Sequence, residues 1–583
     1  MIPKHLKRIP YGVADFEKIR NNNLYYVDKT NYIPFMESAS YYVFLIRPRR
    51  FGKSLWVSLL ENYYDISKKD RFEELFRDTF IVENPTDEKN SYLILTFNFS
   101  MVNPDIRFTE ASFEANGKTV IRDFMERYTQ FFSEQEKKDI LLMSDTADRL
   151  REILYHASRK NLKIYLLIDE YDNFANTILS TVGEKAYQEL THGPGFFRYF
   201  FNLLKGGTSR GDSGLSRLFI TGVSPVTMDD VTSGFNIGRN ISLEGVFNEL
   251  TGFNEGEVRA MLDYYQHEGL FEQDIELCTD IMKEWYDHYC FSADTDNRVF
   301  NPDMVLYFNN QVIDEGKIPR HLIDQNIRID YGKLRHLILA DKRLNGNFSI
   351  LKEIMDTGET ACDVELSFPL EQLLDRKNFV SLLFFFGLLS FNGVRKGKPL
   401  LHIPNLTVRK LMYGYLRDAF RDVDVFRIDI WKFADLVADM AYHGRWQPVF
   451  DFLGEEVQKQ TSVRDYLGGE KIIQGFLLAY LNVTDFFLTW SEKEMGSGFA
   501  DLFLEPFLAR FPDMTFGYLI ELKYISRGEF KDSLLQKKIR SAKEKLQQYA
   551  GDTRVAKIAE KVTLKKLVIV YKGWELVYRE EVI

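Results

Sequence analysis

Cysteine is scarce in this chain of 583 residues, which contains three, at Cys278, Cys290 and Cys362. They form no CxxC pair, so the sequence supplies neither a zinc ribbon nor a disulfide framework, and it predicts a reducing, cytoplasmic environment. The nine histidines never occur at HxxxH spacing, which argues against a histidine-rich metal centre. We therefore expect the cysteines to be reduced and structural.

Long apolar segments are also lacking. The longest, at residues 379–391, is shorter than a membrane span. Residues 1–16 lack the apolar core of a signal peptide, so no membrane insertion is expected. Positive charge is in deficit as well, because 75 basic and 85 acidic residues give a net charge of -10. This balance excludes a globally basic nucleic-acid binder but leaves room for a local basic groove.

The first 250 residues do contain an alternating α/β pattern. Near-continuous apolar runs rich in β-formers alternate with amphipathic helical stretches. The runs lie at residues 41–46, 92–99, 164–169 and 217–222. Strands of this kind are buried on both faces, so they predict a parallel sheet covered by helices on either side.

Two further regions follow this α/β domain. We expect a mainly helical region at 251–422, in which residues 381–405 form a helix and a small hairpin that together resemble a winged-helix module. The closing region, 423–583, is expected to be α+β. Its predicted elements are helices to about residue 480, strands at 499–506 and 516–525, a lysine-rich helix at 531–550 and a final strand at 566–576.

A candidate phosphate loop follows the first apolar run. Residues 45–55 read LIRPRRFGKSL, an apolar strand that leads into GKS and then a helix. In such a loop the backbone N–H groups surround the phosphates, and Gly52, Lys53 and Ser54 fit the remaining roles. The pattern GxxxxGK[ST] would have glycine at position 47, where this chain has Arg47. The match is therefore incomplete.

An acidic strand end supplies the partner that a phosphate loop needs. Residues 161–172 read NLKIYLLIDEYD, which places Asp169 and Glu170 at the carboxyl end of a strand, where parallel sheets bind ligands. Asp169 would hold Mg²⁺ and Glu170 would polarise the attacking water. A solvated acidic turn is the alternative for this motif alone. Together the two motifs predict ATP binding with magnesium.

A third strand, at residues 217–225, ends in Thr221 and Ser224. Either hydroxyl could sense the γ-phosphate. An equally good interpretation is that it caps the helix that follows.

Five segments together carry a resemblance to a known family. They are IPYGVADFEKIR, YYVDKTNYI, FLIRPRRFGKSL, LLIDEYD and ITGVSP. Over residues 3–300 the chain resembles the bacterial AAA-ATPase-like family, whose phosphate loop commonly reads RPRRFGKS. The resemblance implies that the missing first glycine is a family trait. Within 233–240 it offers Arg239 as an arginine finger, with a surface arginine as the alternative, and it includes 285–308, which we interpret as helical packing residues.

Two carboxylates and a lysine converge near the C-terminus. Strand alternation places Glu521 and Lys523 on one face, and antiparallel pairing with the preceding strand brings Asp501 beside Glu521. Two carboxylates so close repel each other unless a cation lies between them, and their oxygens suit Mg²⁺ or Mn²⁺. The alternative is a hairpin with exposed cross-strand ion pairs, each worth about 0 to 1 kcal/mol.

This arrangement resembles the PD-(D/E)XK nuclease superfamily over residues 430–583. The resemblance implies that Asp501 and Glu521 are metal ligands, that Glu470 is a further acid and that Lys523 is the catalytic lysine. It also suggests Gln547 or Gln548 as an auxiliary polar residue, unless both are solvated. Basic side chains that follow could neutralise phosphates, or could be a solvated helix face. They are Lys531, Lys537, Lys538, Arg540, Lys543 and Lys545.

The sequence thus predicts an ATP-binding protein whose nucleotide state gates a metal-dependent nuclease. The expected activities are those of an ATPase and a magnesium-dependent nuclease, the cofactors are ATP and Mg²⁺ or Mn²⁺, and the partner is nucleic acid, with DNA favoured over RNA. The alternative is a nucleotide-dependent regulatory or scaffold protein with a catalytically silent nuclease-like domain. The sequence leaves an oligomer open.

Overall fold

The computed structural model divides the chain into two compact units. The first comprises residues 1–317 and 361–405, and the second comprises residues 318–360 and 406–583. The described residues are 6–181, 184–191, 195–208, 214–226, 238–324, 326–327, 339–340, 343–344, 346–422, 428–459, 470–491, 501–548 and 553–582.

A parallel sheet of five strands forms the centre of the first unit, in the order β2-β3-β4-β1-β5. Its strands are β1 (Tyr42–Ile46), β2 (Leu93–Asn98), β3 (Ile164–Asp169), β4 (Leu215–Gly222) and β5 (Arg239–Asn240). All six residues of β3 are buried, as expected for a central parallel strand. The predicted α/β class and its four long strands are therefore confirmed.

Helices cover both faces of this sheet. On one face, α3 (Lys53–Tyr64) packs Trp56 and Leu60 into a core with Val43 and Leu167. On the other face, the centre of the Phe97 ring lies 5.5 Å from that of Phe200, in the helix Phe196–Thr208. Because α3 begins directly after the loop that follows β1, this packing holds the candidate phosphate loop at the carboxyl edge of the sheet.

The remaining helices of the first unit surround these layers. They are α1 (Phe16–Asn21), α2 (Tyr32–Ala39), α4 (Phe72–Leu75), α5 (Phe80–Glu83), α6 (Thr109–Arg127), α7 (Glu134–Leu142), α8 (Thr146–Arg159), α9 (Asn173–Thr181), α10 (Glu184–Thr191), α11 (Phe196–Thr208), α12 (Glu255–His267), α13 (Ile275–Tyr286) and α14 (Pro302–Glu315).

The middle of the chain contains short strands, helix α15 and the predicted helix and hairpin. The short strands are β6 (Leu339–Ala340), β7 (Arg343–Leu344) and β8 (Glu359–Ala361), and α15 spans Gly346–Thr357. Helix α16 (Arg376–Phe385) precedes β9 (Ser390–Arg395) and β10 (Lys398–His402), which pair antiparallel. The apolar run at 379–391 is thus a buried helix followed by the start of a hairpin. Within the described ranges, no helix is both long and apolar enough to cross a membrane.

The second unit contains a mixed sheet of five strands in the order β11-β12-β13-β14-β15. These are β11 (Phe487–Ser491), β12 (Leu502–Pro506), β13 (Phe516–Ile525), β14 (Thr563–Lys572) and β15 (Glu575–Val582). Its helices are α17 (Leu406–Asp422), α18 (Ile430–His443), α19 (Gln447–Lys459), α20 (Glu470–Leu481), α21 (Asp532–Gln548) and α22 (Thr553–Ala559). Only the β13–β14 pair is parallel.

Even-numbered and odd-numbered residues of β13 lie on opposite faces of the sheet. The hydroxyl of Tyr518 donates to the carbonyl of Met440 in α18, at 2.6 Å. Leu519 and Ile525 instead pack with Ala542 and Leu546 of α21. Glu521 and Lys523 are odd-numbered as well, so they lie on the face covered by α21.

The final segment differs from its prediction. A single strand was expected at 566–576, but the chain turns at Gly573, which has φ +58°, and forms the separate strands β14 and β15. Strand β11 was not predicted at all. The turn was missed because the aromatic residues around it extend the apolar pattern.

Candidate functional site

The loop between β1 and α3 contains the predicted phosphate-loop residues. Gly52 caps the N-terminus of α3 with φ +81°, a conformation that glycine adopts without strain. A Cβ atom placed on Gly52 would meet nothing within 4 Å, so the space beside the loop is open. The loop therefore presents the N-terminus of a helix to an unobstructed region.

Lys53 is buried at this N-terminus and points back along the loop. Its Nζ donates to the carbonyl oxygens of Arg47 and Pro48, at 3.0 and 2.8 Å. Burial lowers the pKa of Lys53 to about 8, although the carboxylates of Asp169 and Glu170 oppose this shift. The lysine thus lies near acidic groups, while its hydrogen bonds go to the loop itself.

Asp169 ends β3 beside Ser54. The neighbouring Ser54 hydroxyl favours the charged form of the Asp169 carboxylate, but burial outweighs it and raises the pKa of that carboxyl group. Among the described residues, the buried Oδ1 atom of Asp169 has no hydrogen-bond partner. A buried carboxylate oxygen without a partner is costly. A hydroxyl and a carboxylate are suitable oxygen ligands for Mg²⁺, so these two residues fit that ion.

The other residues predicted to contact the nucleotide form hydrogen bonds with other residues of the protein. Glu170 has φ 51° and accepts a hydrogen bond from the side-chain amide of Asn173. The Thr221 hydroxyl donates to the carbonyl of Leu45, at 2.7 Å. Ser224 donates its backbone N–H to Asp172, at 2.5 Å. In this structure the Thr221 hydroxyl therefore links β4 to β1.

Asp172 was not singled out from the sequence. It is buried and accepts hydrogen bonds from the backbone N–H of Val223 and Ser224 and from the amide of Asn176. Burial raises its pKa even though these bonds oppose the shift. Asp172 thus ties the turn after β3 to the end of β4. Its place three residues after Asp169 in the same acidic motif was the available signal.

Arg47 occupies the position where the standard pattern has glycine, and its side chain points into the unit. It donates to the carbonyl of Phe247, at 2.9 Å, and to that of Ser242. Its guanidinium carbon lies 4.3 Å from the centre of the Phe291 ring. Burial lowers the pKa of Arg47 to about 9. Arg47 therefore anchors the base of the loop.

The loop is also packed on the segment that follows α13. The Phe51 ring meets the rings of Tyr289 and Phe291 edge-on, at 4.9 and 5.2 Å. Arg50 Nη1 lies 3.9 Å from Asp303 Oδ2 at the start of α14. Residues 285–308 were interpreted as helical packing residues, but Tyr289 and Phe291 lie outside the helices and contact the phosphate loop.

Arg239 lies on the short strand β5. Its Nε is 2.6 Å from Glu244 Oε1, and its side chain is half exposed. Residues 233–237 of the predicted arginine-finger segment lie outside the described residues. The structure thus places Arg239 in an ion pair within its own unit.

The second site is formed by β12 and β13. In their antiparallel register Leu502 lies opposite Ile520, and continuing it by one residue sets Asp501 opposite Glu521. Lys523 Nζ donates to Glu521 Oε2 at 2.7 Å and to Asp501 Oδ2 at 3.0 Å. Asp501, Glu521 and Lys523 are only 8%, 0% and 7% exposed. The alternative of exposed cross-strand ion pairs is therefore wrong.

Lys523 is held as a cation between these carboxylates. Burial alone would lower its pKa, but Asp501 and Glu521 outweigh that effect and raise the pKa above its ordinary value. Lys523 is therefore an ammonium group at neutral pH and donates hydrogen bonds to its neighbours.

Glu470 was predicted as a further acid, and Gln547 or Gln548 as an auxiliary polar residue. The structure describes these residues only in part. Glu470 begins α20, one turn before Gln474, whose side-chain amide donates to the carbonyl of Asp501. The side chains of Glu470 and Gln548 lie outside the described residues. Gln547 is exposed, and Lys545 Nζ of α21 lies 3.8 Å from Glu521 Oε2.

The two carboxylates have the oxygen atoms that Mg²⁺ or Mn²⁺ prefers, so this donor set also fits a divalent ion. No group of three or more His, Cys, Asp or Glu side chains that could hold a metal occurs in the part of the chain that the structure describes. A metal here would rely on Asp501 and Glu521, with Glu470 as the sequence-based candidate for a third ligand.

Two family models match the regions that contain these candidate sites. Residues 10–232 match the AAA-ATPase-like model, described as a predicted AAA-ATPase, and residues 468–581 match a PD-(D/E)XK nuclease superfamily model. The first match includes the phosphate loop and Asp169, and the second includes Asp501, Glu521 and Lys523. The chain therefore combines an AAA-ATPase-like domain with a domain of the PD-(D/E)XK nuclease superfamily.

A curated relative is 26% identical over 316 residues, an uncharacterized protein from the vnfD 5' region of Azotobacter chroococcum mcd 1. The alignment covers 52% of each protein, so the chain spans about half the length of the curated relative it matches.

Solved structures with some likeness include Cdc6p of Pyrobaculum aerophilum, at 12% identity and a TM-score of 0.25, covering 72% of this chain and 97% of that one. ORC2 of Aeropyrum pernix has 11% identity and a TM-score of 0.31, covering 72% and 96%.

Proposed function

We propose that this protein binds ATP with magnesium in its first unit and cuts phosphodiester bonds of nucleic acid in its second, with nucleotide state gating cleavage. The observation that supports the nuclease most directly is the convergence of Asp501 and Glu521 on Lys523 in a buried pocket of the sheet. Burying two carboxylates together is costly, and it is expected where a cation and an anionic substrate must be brought together.

The residues of the second site have complementary tasks. Asp501 and Glu521 would hold Mg²⁺ or Mn²⁺, which when bound activates water and neutralises charge on the phosphate. Lys523 donates hydrogen bonds, so it can orient the water and stabilise the charge that develops on a phosphate oxygen. Without a metal, Asp501 and Glu521 raise the pKa of Lys523 and favour its ammonium form.

The first unit would supply the nucleotide control. Lys53 can exchange the carbonyl oxygens of Arg47 and Pro48 for phosphate oxygens, while Ser54 and Asp169 hold magnesium. Glu170 is the candidate for polarising water, and Thr221 stays a candidate γ-phosphate sensor. The presence of both domains in one chain supports coupling between them.

Cleavage is best tested on plasmid, linear and single-stranded DNA and on RNA, with Mg²⁺ or Mn²⁺. Glu521→Gln keeps the side-chain shape but removes its charge, so we expect it to lower kcat at least about a hundredfold, equivalent to roughly 2.7 kcal/mol. If wild type and Glu521→Gln cut equally, the activity arises elsewhere. If neither cuts any substrate, the regulatory or scaffold function is favoured.

Nucleotide binding and gating need a separate variant. ATP with Mg²⁺ at about 100 times its Kd should stabilise the wild type by about 2.7 kcal/mol, and Lys53→Ala should abolish this shift. In the same variant cleavage should lose its ATP dependence while the metal-dependent step persists. An unchanged nucleotide response in Lys53→Ala would remove Lys53 from the site.

A further inference from the structure

A second lysine reaches the buried carboxylates, and it comes from helix α21. Lys545 Nζ lies 3.8 Å from Glu521 Oε2, the same oxygen that accepts a hydrogen bond from Lys523. Glu521 is fully buried, whereas the side chain of Lys545 is 40% exposed. Lys545 therefore connects the site to solvent.

Packing of α21 determines this position. Ala542 and Leu546 of the helix are buried in a core with Phe503 and Leu519 of the sheet. Lys545 lies three residues after Ala542, on the edge of this buried face. Its side chain therefore begins at the sheet, and its flexible stem can direct the ammonium either to Glu521 or to solvent.

The two lysines lie at different distances from Glu521. Lys523 Nζ has three hydrogen bonds, to Glu521, to Asp501 and to the carbonyl of Leu522, all between 2.7 and 3.0 Å. The approach of Lys545 to Glu521 is longer, at 3.8 Å. The two carboxylates, of Asp501 and Glu521, carry two negative charges, and the two lysines carry two positive charges. These four side chains together therefore have no net charge. A divalent ion at the carboxylates would add repulsion that Lys545 can relieve by moving outward.

We propose that Lys545 competes with the divalent metal for Glu521 and, once metal is bound, moves to bind a phosphate of the nucleic acid. The inference rests on the proposed nuclease function and assigns a substrate-binding residue to the same site. Removal of Lys545 then has two opposite effects: metal binds more tightly and nucleic acid binds more weakly. If Lys545 had only a structural role, its removal would not strengthen metal binding while weakening nucleic-acid binding.

The test uses Mn²⁺ binding to the full chain, followed by electron paramagnetic resonance, for wild type, Lys545→Ala and Lys543→Ala. Lys543 is the matched control, because it lies on the same helix but pairs with Glu580 on β15, at 2.6 Å. We expect Lys545→Ala to bind Mn²⁺ about three to ten times more tightly, since a competing charge is gone. Lys543→Ala should bind as wild type does.

Cleavage kinetics at saturating metal supply the second readout. Lys545→Ala should raise KM for DNA about tenfold with a smaller change in kcat, and Lys545→Arg should restore KM because it keeps the phosphate-binding charge. If Mn²⁺ binds through Glu521 but Lys545→Ala leaves its affinity unchanged, this inference alone is overturned. If Glu521→Gln leaves Mn²⁺ binding unchanged in an otherwise wild-type chain, the inference and the proposed metal site both fall.

Discussion

Lys53 and Lys523 are buried to the same degree, each with 7% of its surface exposed, yet their pKa values shift in opposite directions. Burial lowers the pKa of Lys53 to about 8, because its hydrogen bonds go to neutral carbonyl groups. The pKa of Lys523 rises, because Asp501 and Glu521 outweigh the effect of burial. The partner of a buried cation, and not burial alone, thus decides whether its charge is favoured.

This difference separates two kinds of site. In the first unit the cation lacks a direct carboxylate partner, and within the described residues Asp169 Oδ1 has no hydrogen-bond partner. Such a site gains stability when an anion and a metal arrive together. In the second unit Lys523 already offsets charge on Asp501 and Glu521, so under the proposed function a metal would compete with an ammonium group.

The largest expected effect comes from removing the cation of the second site. Lys523→Met leaves two buried carboxylates without their shared ammonium, so we expect a loss of about 3 to 5 kcal/mol in the stability of the second unit. A lysine with a raised pKa contributes stability that is complete below its unfolded value of about 10.4 and disappears only at higher pH. The loss should therefore be the same at pH 7 and pH 9.

Native-state hydrogen exchange of peptides from β13 and β14 would measure this loss. Lys543→Met is the control, because its partly exposed ion pair should be worth about 0 to 1 kcal/mol. Added Mn²⁺ should stabilise Lys523→Met more than it stabilises the wild type. A loss that shrinks between pH 7 and pH 9 would contradict the assigned charge state.

A second prediction concerns packing under the phosphate loop. Phe51 is buried against Tyr289 and Phe291, so Phe51→Ala should cost about 3 kcal/mol and accelerate hydrogen exchange in residues 45–55. Phe113→Ala on α6 is the control, since it removes a similarly buried ring elsewhere in the unit. If both variants accelerate exchange in the loop equally, Phe51 has no special role in holding it.

Substitution of Lys53 should change the stability of its unit in the opposite direction from substitution of Lys523. Its lowered pKa means that a protonated Lys53 opposes folding, so Lys53→Met should stabilise the first unit by about 1 to 3 kcal/mol at pH 7. Between pH 8 and about 10.4 the unfolded chain binds more protons than the native one, so wild-type stability rises with pH and the gain should vanish. Exchange of β1 and α3 peptides at pH 7 and pH 10 would check this, and a less stable Lys53→Met at pH 7 would contradict it.

Local patterns predicted much of the fold because buried parallel strands have a distinctive sequence. Strands Ile164–Asp169 and Phe516–Ile525 coincide with the predicted ranges, and the period of two along the latter placed Glu521 and Lys523 on one face. The inward direction of Arg47 and the approach of Lys545 could not be predicted. Both depend on contacts between segments distant in sequence, which no local spacing reports.

The smallest expected effect comes from replacing glycine by alanine at the phosphate loop. This change can distinguish backbone strain from loss of ligand contact. Gly52 and Gly12 have φ +81° and +75°, and an added Cβ would meet nothing within 4 Å at either position. Each change to alanine should therefore cost about 1 kcal/mol from the backbone alone. Only Gly52→Ala places a methyl group in the open space beside the loop, so it alone should reduce the stabilisation by ATP and Mg²⁺. Equal loss of that stabilisation in Gly12→Ala, measured by thermal unfolding, would show that strain and not ligand contact is responsible.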